Sequence, residues 1–117
     1  MIIKDEVCLA RFRRSPRCEW CGRPTPEGCD PHHAIIKRSM GGGSRLDVPY
    51  NLVALCRGWS QKTGQWVSCH QDAEAGKITK VDLLALIAAR ERVSQEEVTD
   101  FLYTLLRRPK CEIVRDR

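Results

Sequence analysis

Seven cysteines, at positions 8, 18, 21, 29, 56, 69 and 111, stand in a chain of 117 residues. So many thiols leave a small fold two sources of extra stability: disulfides in an oxidising compartment, or metal thiolates in a reducing one. An odd count cannot pair off completely, and the opening Met1-Ile2-Ile3-Lys4-Asp5-Glu6 lacks the apolar stretch of a secretory signal. Both features set the expectation of a cytoplasmic protein with reduced cysteines, in which metal ligation is the main use for them. The length suits one domain, residues 1–117, closing a single core. With 42% hydrophobic and 30% charged residues, the composition is that of an ordinary folded chain and not of a disordered or fibrous one. No apolar run approaches the roughly 18–20 residues of a bilayer span, so no membrane partner is expected.

The net charge is +5, and it is unevenly spread. Residues 1–45 carry nine basic and five acidic side chains, whereas the rest of the chain is close to balance. The basic excess includes Arg11, Arg13, Arg14, Lys37, Arg38 and Arg45, a set able to contact a polyanion such as double-stranded DNA. A solvated basic surface would have the same composition, so charge alone does not decide.

Lys4 to Arg14 reads as a short helix, acidic in its first turn and basic in its last, and Pro16 would stop it. Residues 17–31 are rich in Cys, Gly and Pro and predict turns. Ala34 to Arg38 and Leu52 to Leu55 read as short strands, separated by the flexible loop Gly41-Gly42-Gly43-Ser44. Beyond Gly76 the pattern becomes helical. Thr79 and Asp82 form a capping-box pattern ahead of Leu83–Ala89, and Ser94 with Glu97 forms another. Val98, Phe101, Leu102, Leu105 and Leu106 then fall on one helical face, ending before Pro109.

Cys18-Glu19-Trp20-Cys21 has the two-residue spacer that lets both sulfurs reach one tetrahedral ion, with Gly22 suited to the turn. A thioredoxin-like redox pair would need a helix to follow, and Gly22, Pro24 and Pro26 preclude one. Cys56 and Cys69 follow the second strand and are the candidates to complete a structural zinc site, against the alternative of reduced cysteines placed by chance. Zinc bound this way contributes on the order of 10 kcal/mol to folding, enough to hold a loop-rich half together.

There are three histidines, and two are adjacent. On a strand His32 and His33 point to opposite sides, so one can bind a metal while the other acts as a base. His70 and Glu74 are four apart at the start of a predicted helix and share a face. An imidazole and a carboxylate with open positions suit a divalent ion that must also bind substrate oxygen.

The pieces Cys18-x-x-Cys21, Asp30-Pro31-His32-His33-Ala34-Ile35, Gly41-Gly42-Gly43, Asn51-Leu52-Val53-Ala54-Leu55-Cys56 and Cys69-His70, in this order, resemble the HNH endonuclease family, particularly its phage-type, zinc-containing members. The resemblance covers residues 18–77, and 78–110 would form a C-terminal helical extension. It implies a small ββα-metal core with a structural zinc site; together with the N-terminal helix and C-terminal helical pair read above, the expected fold is α+β. It also implies that His33 is the general base and that Asn51 holds the loop orienting it. His32 and His70 would bind the catalytic divalent ion (Mg²⁺, Mn²⁺, Ni²⁺ or Zn²⁺), and Cys18, Cys21, Cys56 and Cys69 the structural zinc.

Two features depart from the family pattern. Twelve residues, Arg57 to Ser68, separate Cys56 from Cys69 where two are usual, so a hairpin across Thr63-Gly64 is needed and Cys29 is a substitute candidate. Glu74 stands where some relatives carry a further histidine, either as a third ligand or as a solvent-facing helix residue.

The expected activity is metal-dependent hydrolysis of DNA phosphodiesters, by nicking or double-strand cleavage. The rival is a catalytically inactive zinc module that binds DNA or a protein. The C-terminal helices faintly resemble a helix-turn-helix, but Glu96, Glu97 and Asp100 would repel phosphates in a groove, so a packing or protein-partner role is expected for them.

Overall fold

A computed structural model describes residues 2–37, 45–60, 65–66 and 68–106. Its elements make a small α+β fold with four α-helices and two-stranded sheets among the described residues. In chain order they are β1 (Ile2–Ile3), α1 (Glu6–Arg13), β2 (Asp30–His33), β3 (Arg45–Leu46), β4 (Leu52–Leu55), β5 (Trp59–Ser60), β6 (Gln65–Trp66), α2 (Cys69–Glu74), α3 (Lys80–Glu91) and α4 (Gln95–Leu106). A 3₁₀ turn, Pro49–Asn51, leads into β4. No helix is long and apolar enough to cross a membrane, among the described residues.

The antiparallel pair β2–β4 is the centre of the molecule, with His33 opposite Leu52 and His32 opposite Val53. Alternation along β4 sends Leu52 and Ala54 into one apolar cluster and Val53 and Leu55 into another. The first cluster is completed by Cys8, Leu9 and Phe12 of α1, with Cys29. The second, larger one gathers Ala34, Ile35 and Ile36, then Leu83, Leu84, Ile87 and Ala88 of α3 and Val98 and Leu102 of α4. Each large aliphatic side chain buried this way contributes roughly 1.5–3 kcal/mol. The two C-terminal helices are thus part of the main core.

The strand expected at Ala34 to Arg38 lies earlier in the chain, at Asp30–His33. Asn51 is the cause. Its fully buried side chain accepts hydrogen bonds from the N–H groups of Ile35 (3.0 Å) and Ile36 (2.7 Å) and donates to the carbonyls of Ile36 and Leu46 (both 3.0 Å). This segment's polar backbone is therefore satisfied by one amide, and its apolar side chains enter the core without a strand partner. Pro31, without an N–H, is tolerated because the sheet has only two strands. Arg38 and the glycine loop lie outside the described residues.

The helix starts read from the C-terminal half are seen in full at α3 and by the Ser94 half at α4. Thr79 and Asp82 cap α3 reciprocally, and the Ser94 hydroxyl accepts from the Glu97 N–H at 3.0 Å. Phe101 is the exception on the apolar face of α4. It stays 42% exposed and stacks edge-on against Tyr50, with ring centroids 4.9 Å apart. Arg90 of α3 fastens the helical pair to the rest. Its guanidinium donates to both carboxylate oxygens of Glu19 (3.0 and 3.1 Å) and to the carbonyls of Leu52 (2.8 Å) and Pro49, and lies 5.2 Å from the Phe12 ring centroid.

Two candidate metal centres

Cys18, Cys21, Cys56 and Cys69 present their sulfurs within 4.8 Å of one another, and all four are free thiols. The Cys21 and Cys56 sulfurs are 3.9 Å apart. Sulfurs 2.3 Å from one tetrahedral zinc lie about 3.8 Å apart, so the spacing is compatible with a structural zinc. The local backbone builds the first half of this centre. Gly22 adopts φ +75°, a left-handed conformation that costs glycine little, and donates its N–H to the Cys18 carbonyl at 3.0 Å. Burial opposes a thiolate at Cys18, but hydrogen bonds from the backbone at Cys21, Cys56 and Trp20 outweigh it and hold that thiol below its ordinary value. At Cys56 burial pushes the thiol up, and at Cys69 burial and the neighbouring Cys56 do the same. Four sulfurs this close together are an environment that a cation relieves.

The twelve-residue separation folds back on itself. β5 and β6 pair antiparallel, Trp59 with Trp66 and Ser60 with Gln65, which returns the chain to Cys69. Thr63 and Gly64 lie outside the described residues. The Cys69 N–H reaches the Cys56 sulfur at 3.4 Å, and the His70 N–H reaches the Cys56 carbonyl at 3.2 Å. Cys29 is not a substitute ligand: its sulfur is in contact with the Thr25 hydroxyl at 3.2 Å, in the cluster formed with α1. Cys8 is buried in the same cluster, and Cys111 lies outside the described residues.

The second centre comprises His32, His70 and Glu74, whose donor atoms also fall within 4.8 Å of one another. Ser68 caps α2 by accepting from the Gln71 N–H at 3.1 Å, which sets the helix so that His70 and Glu74 share a face. Glu74 Oε1 stands 3.3 Å from His32 Nδ1 and 3.4 Å from His70 Nε2. Burial pushes the His32 ring down to about 4 despite the nearby Glu74 charge, so the ring is neutral at physiological pH. Its Nε2 is buried without a hydrogen-bond partner. A neutral imidazole one partner short, beside a second imidazole and a carboxylate, fits a divalent ion.

His70 is aimed by a residue to which the sequence reading gave no role. Asp30 Oδ2 lies 2.9 Å from His70 Nδ1, while its Oδ1 accepts from Arg57 at 3.0 Å. A carboxylate on one ring nitrogen would leave the other free to bind a metal. Asp30 and His32 sit two apart on β2, and strand alternation would have paired them had β2 been placed correctly.

His33 lies across the strand from His32, as alternation requires, and takes no part in either cluster. Its Nε2 lies 2.7 Å from Oδ1 of Asp47, whose side chain is fully buried. Burial by itself would raise the Asp47 carboxyl, but hydrogen bonds from Arg45, His33 and the Asp5 N–H outweigh it and bring it down to about 2. No local sequence pattern points to Asp47, because its partners come from β2, β3 and the N-cap of α1.

His32, His33, His70 and Glu74 line one cleft of about 570 Å³ that also takes in Asp30, Arg13, Lys37 and Arg45. Asn51 does not reach it and acts on the chain that follows His33. Among the basic residues read as DNA contacts, Arg13 and Lys37 are at the cleft, whereas Arg11 and Arg14 line a separate concavity beside Arg90. Arg45 is committed elsewhere: its guanidinium clasps Asp47 at 2.8–3.1 Å. Neither a protein-family model, nor a curated protein, nor a solved structure matches the chain.

Proposed function

We propose that the protein is a divalent-metal-dependent DNA endonuclease of the HNH type. β2, β4 and α2 would form its ββα-metal core, and Cys18, Cys21, Cys56 and Cys69 would bind a structural zinc. The observation that carries this reading is the coincidence, in one cleft, of a three-donor cluster with an imidazole held by a buried carboxylate. A one-metal nucleic-acid hydrolase uses both, one to stabilise charge on the phosphate and one to activate water.

His32, His70 and Glu74 would hold the ion, which supplies Lewis-acid stabilisation of the charge developing on the phosphate and on the leaving oxygen. His33 takes a proton from the attacking water. The water oxygen bonds to phosphorus, the bond to the 3′ oxygen breaks, and that oxygen takes a proton from solvent. Arg13 and Lys37 contact phosphates beside the cut, which positions the duplex without reading its sequence and makes affinity fall steeply with salt.

The test is plasmid cleavage by the zinc-loaded protein with Mg²⁺, Mn²⁺ or Ni²⁺. The expected result is nicked or linear product that disappears in His33→Ala at unchanged zinc content. An intact plasmid under every metal, or equal cutting by His33→Ala, would leave the non-catalytic module as the better reading.

A further inference from the structure

Asp47 follows β3, and both of its carboxylate oxygens are engaged. Oδ1 accepts from Arg45 Nε at 3.1 Å and lies 2.7 Å from His33 Nε2, while Oδ2 accepts from Arg45 Nη2 at 2.8 Å and from the Asp5 N–H at 3.0 Å. A carboxylate buried this deeply persists only when it is paired and hydrogen-bonded, and these partners keep it ionised at neutral pH. An ionised carboxylate has no proton to give. In the contact with His33, the imidazole must therefore be the donor.

That requirement fixes more than a distance. A neutral imidazole carries its proton on one nitrogen and its lone pair on the other. With the proton on Nε2, the lone pair is on Nδ1. We propose that Asp47 is the positioning residue of the nuclease site, locking His33 in the Nε2–H tautomer so that Nδ1 accepts the proton of the attacking water. The inference rests on the reading of His33 as the base. In the step itself the O–H bond of water breaks and its proton goes to Nδ1; Asp47 gains none and stabilises the imidazolium that forms.

Arg45 is the outer member of this arrangement. Its guanidinium fork grips both carboxylate oxygens and opposes rotation of the carboxylate away from the ring. The Asp5 contact extends the same device to α1. Asp5 is the N-cap of that helix, its side chain accepting from the Cys8 N–H at 3.0 Å, so the residue that orients His33 also fixes where the helix carrying Arg13 begins.

The experiment combines long-range ¹H–¹⁵N spectra of histidine-labelled, zinc-loaded full chain with plasmid-cleavage kinetics. The wild type is expected to show His33 protonated at Nε2 with its lone pair on Nδ1. Asp47→Asn should mix the tautomers and lower kcat about 100-fold or more, with KM within about twofold because Asp47 does not touch the substrate. Asp47→Glu, which keeps the carboxylate, should recover part of kcat. If zinc content and circular dichroism show that Asp47→Asn does not fold, Arg45→Gln is the variant read, with partial tautomer mixing and a loss of about tenfold in kcat.

Asp47→Asn (or, if that variant does not fold, Arg45→Gln) folded and cutting at the wild-type rate would overturn the proposal. A cutting wild type with His33 protonated at Nδ1 would also overturn it, while leaving the nuclease reading intact. A wild type that cuts no DNA although His33 is in the Nε2–H form would overturn the base assignment instead, reducing Asp47 to a purely structural partner.

Discussion

The cysteine cluster and the histidine cluster are neighbours in the chain, since Cys69 belongs to one and His70 to the other, yet they are built on opposite principles. The first offers four like donors, with Cys18 and Cys56 buried and Cys69 half-buried, and a tetrahedral ion held by all four has no position left for a substrate. The second offers two imidazoles and a carboxylate of graded exposure. The His32 side chain is 3% exposed, His70 30% and Glu74 59%, so the cluster opens from a buried ring towards the cleft. Closed coordination is what a structural metal uses, and an incomplete set facing solvent is what a catalytic one uses. One turn of helix thus contributes donors to both clusters.

This contrast can be broken by substitution, beginning with the largest effect. Cys56→Ser or Cys69→Ala should abolish zinc binding and unfold the loop-rich half, a loss on the order of 10 kcal/mol, read as zinc content and circular dichroism. His70→Ala should leave both readouts near those of the wild type and remove cleavage. A histidine variant that unfolded like a cysteine variant would erase the distinction between the two centres.

Arg90 lies outside both sites and bears on only one of them. Arg90→Met keeps much of the packing over Phe12 but deprives Glu19 of its partner and leaves the Pro49 and Leu52 carbonyls one donor short. Because Glu19 lies inside the Cys18–Cys21 turn and its carboxylate also accepts from the Ala54 N–H, the damage falls on the zinc side. A loss of about 2–3 kcal/mol in urea unfolding is expected, with the affinity of the histidine centre for Mn²⁺ little changed.

The smallest effect is a proton count. Burial raises the Cys56 and Cys69 thiols above their ordinary value in the metal-free chain, so both are protonated at pH 7. Zinc binding must displace those protons, and zinc affinity therefore falls as pH falls. Calorimetry in buffers of different ionisation enthalpy should report at least two protons released per zinc. Release of none would place the metal elsewhere.

The cysteine set was legible because ligand spacing is a short-range signal and a hairpin is the simplest way to close a long gap. The two C-terminal helices were legible from their caps. The strand carrying the histidines was misplaced because Ala34-Ile35-Ile36 reads as a strand by composition, while the long-range amide of Asn51 takes its backbone hydrogen bonds. That misplacement also concealed Asp30. Asp47 and Arg90 were beyond sequence reasoning for a different reason: a carboxylate or guanidinium has no periodic signature when its partners come from several separate elements.

Under the proposed function, one metal holds the fold and a different one enables the chemistry. The direct measurement is a chelator titration in which zinc content and plasmid cleavage are followed in the same sample. Cleavage should disappear while zinc stays bound, and should return when Mg²⁺ or Mn²⁺ is added back. Loss of cleavage only in step with loss of zinc, or cleavage that persists until the fold collapses, would contradict it.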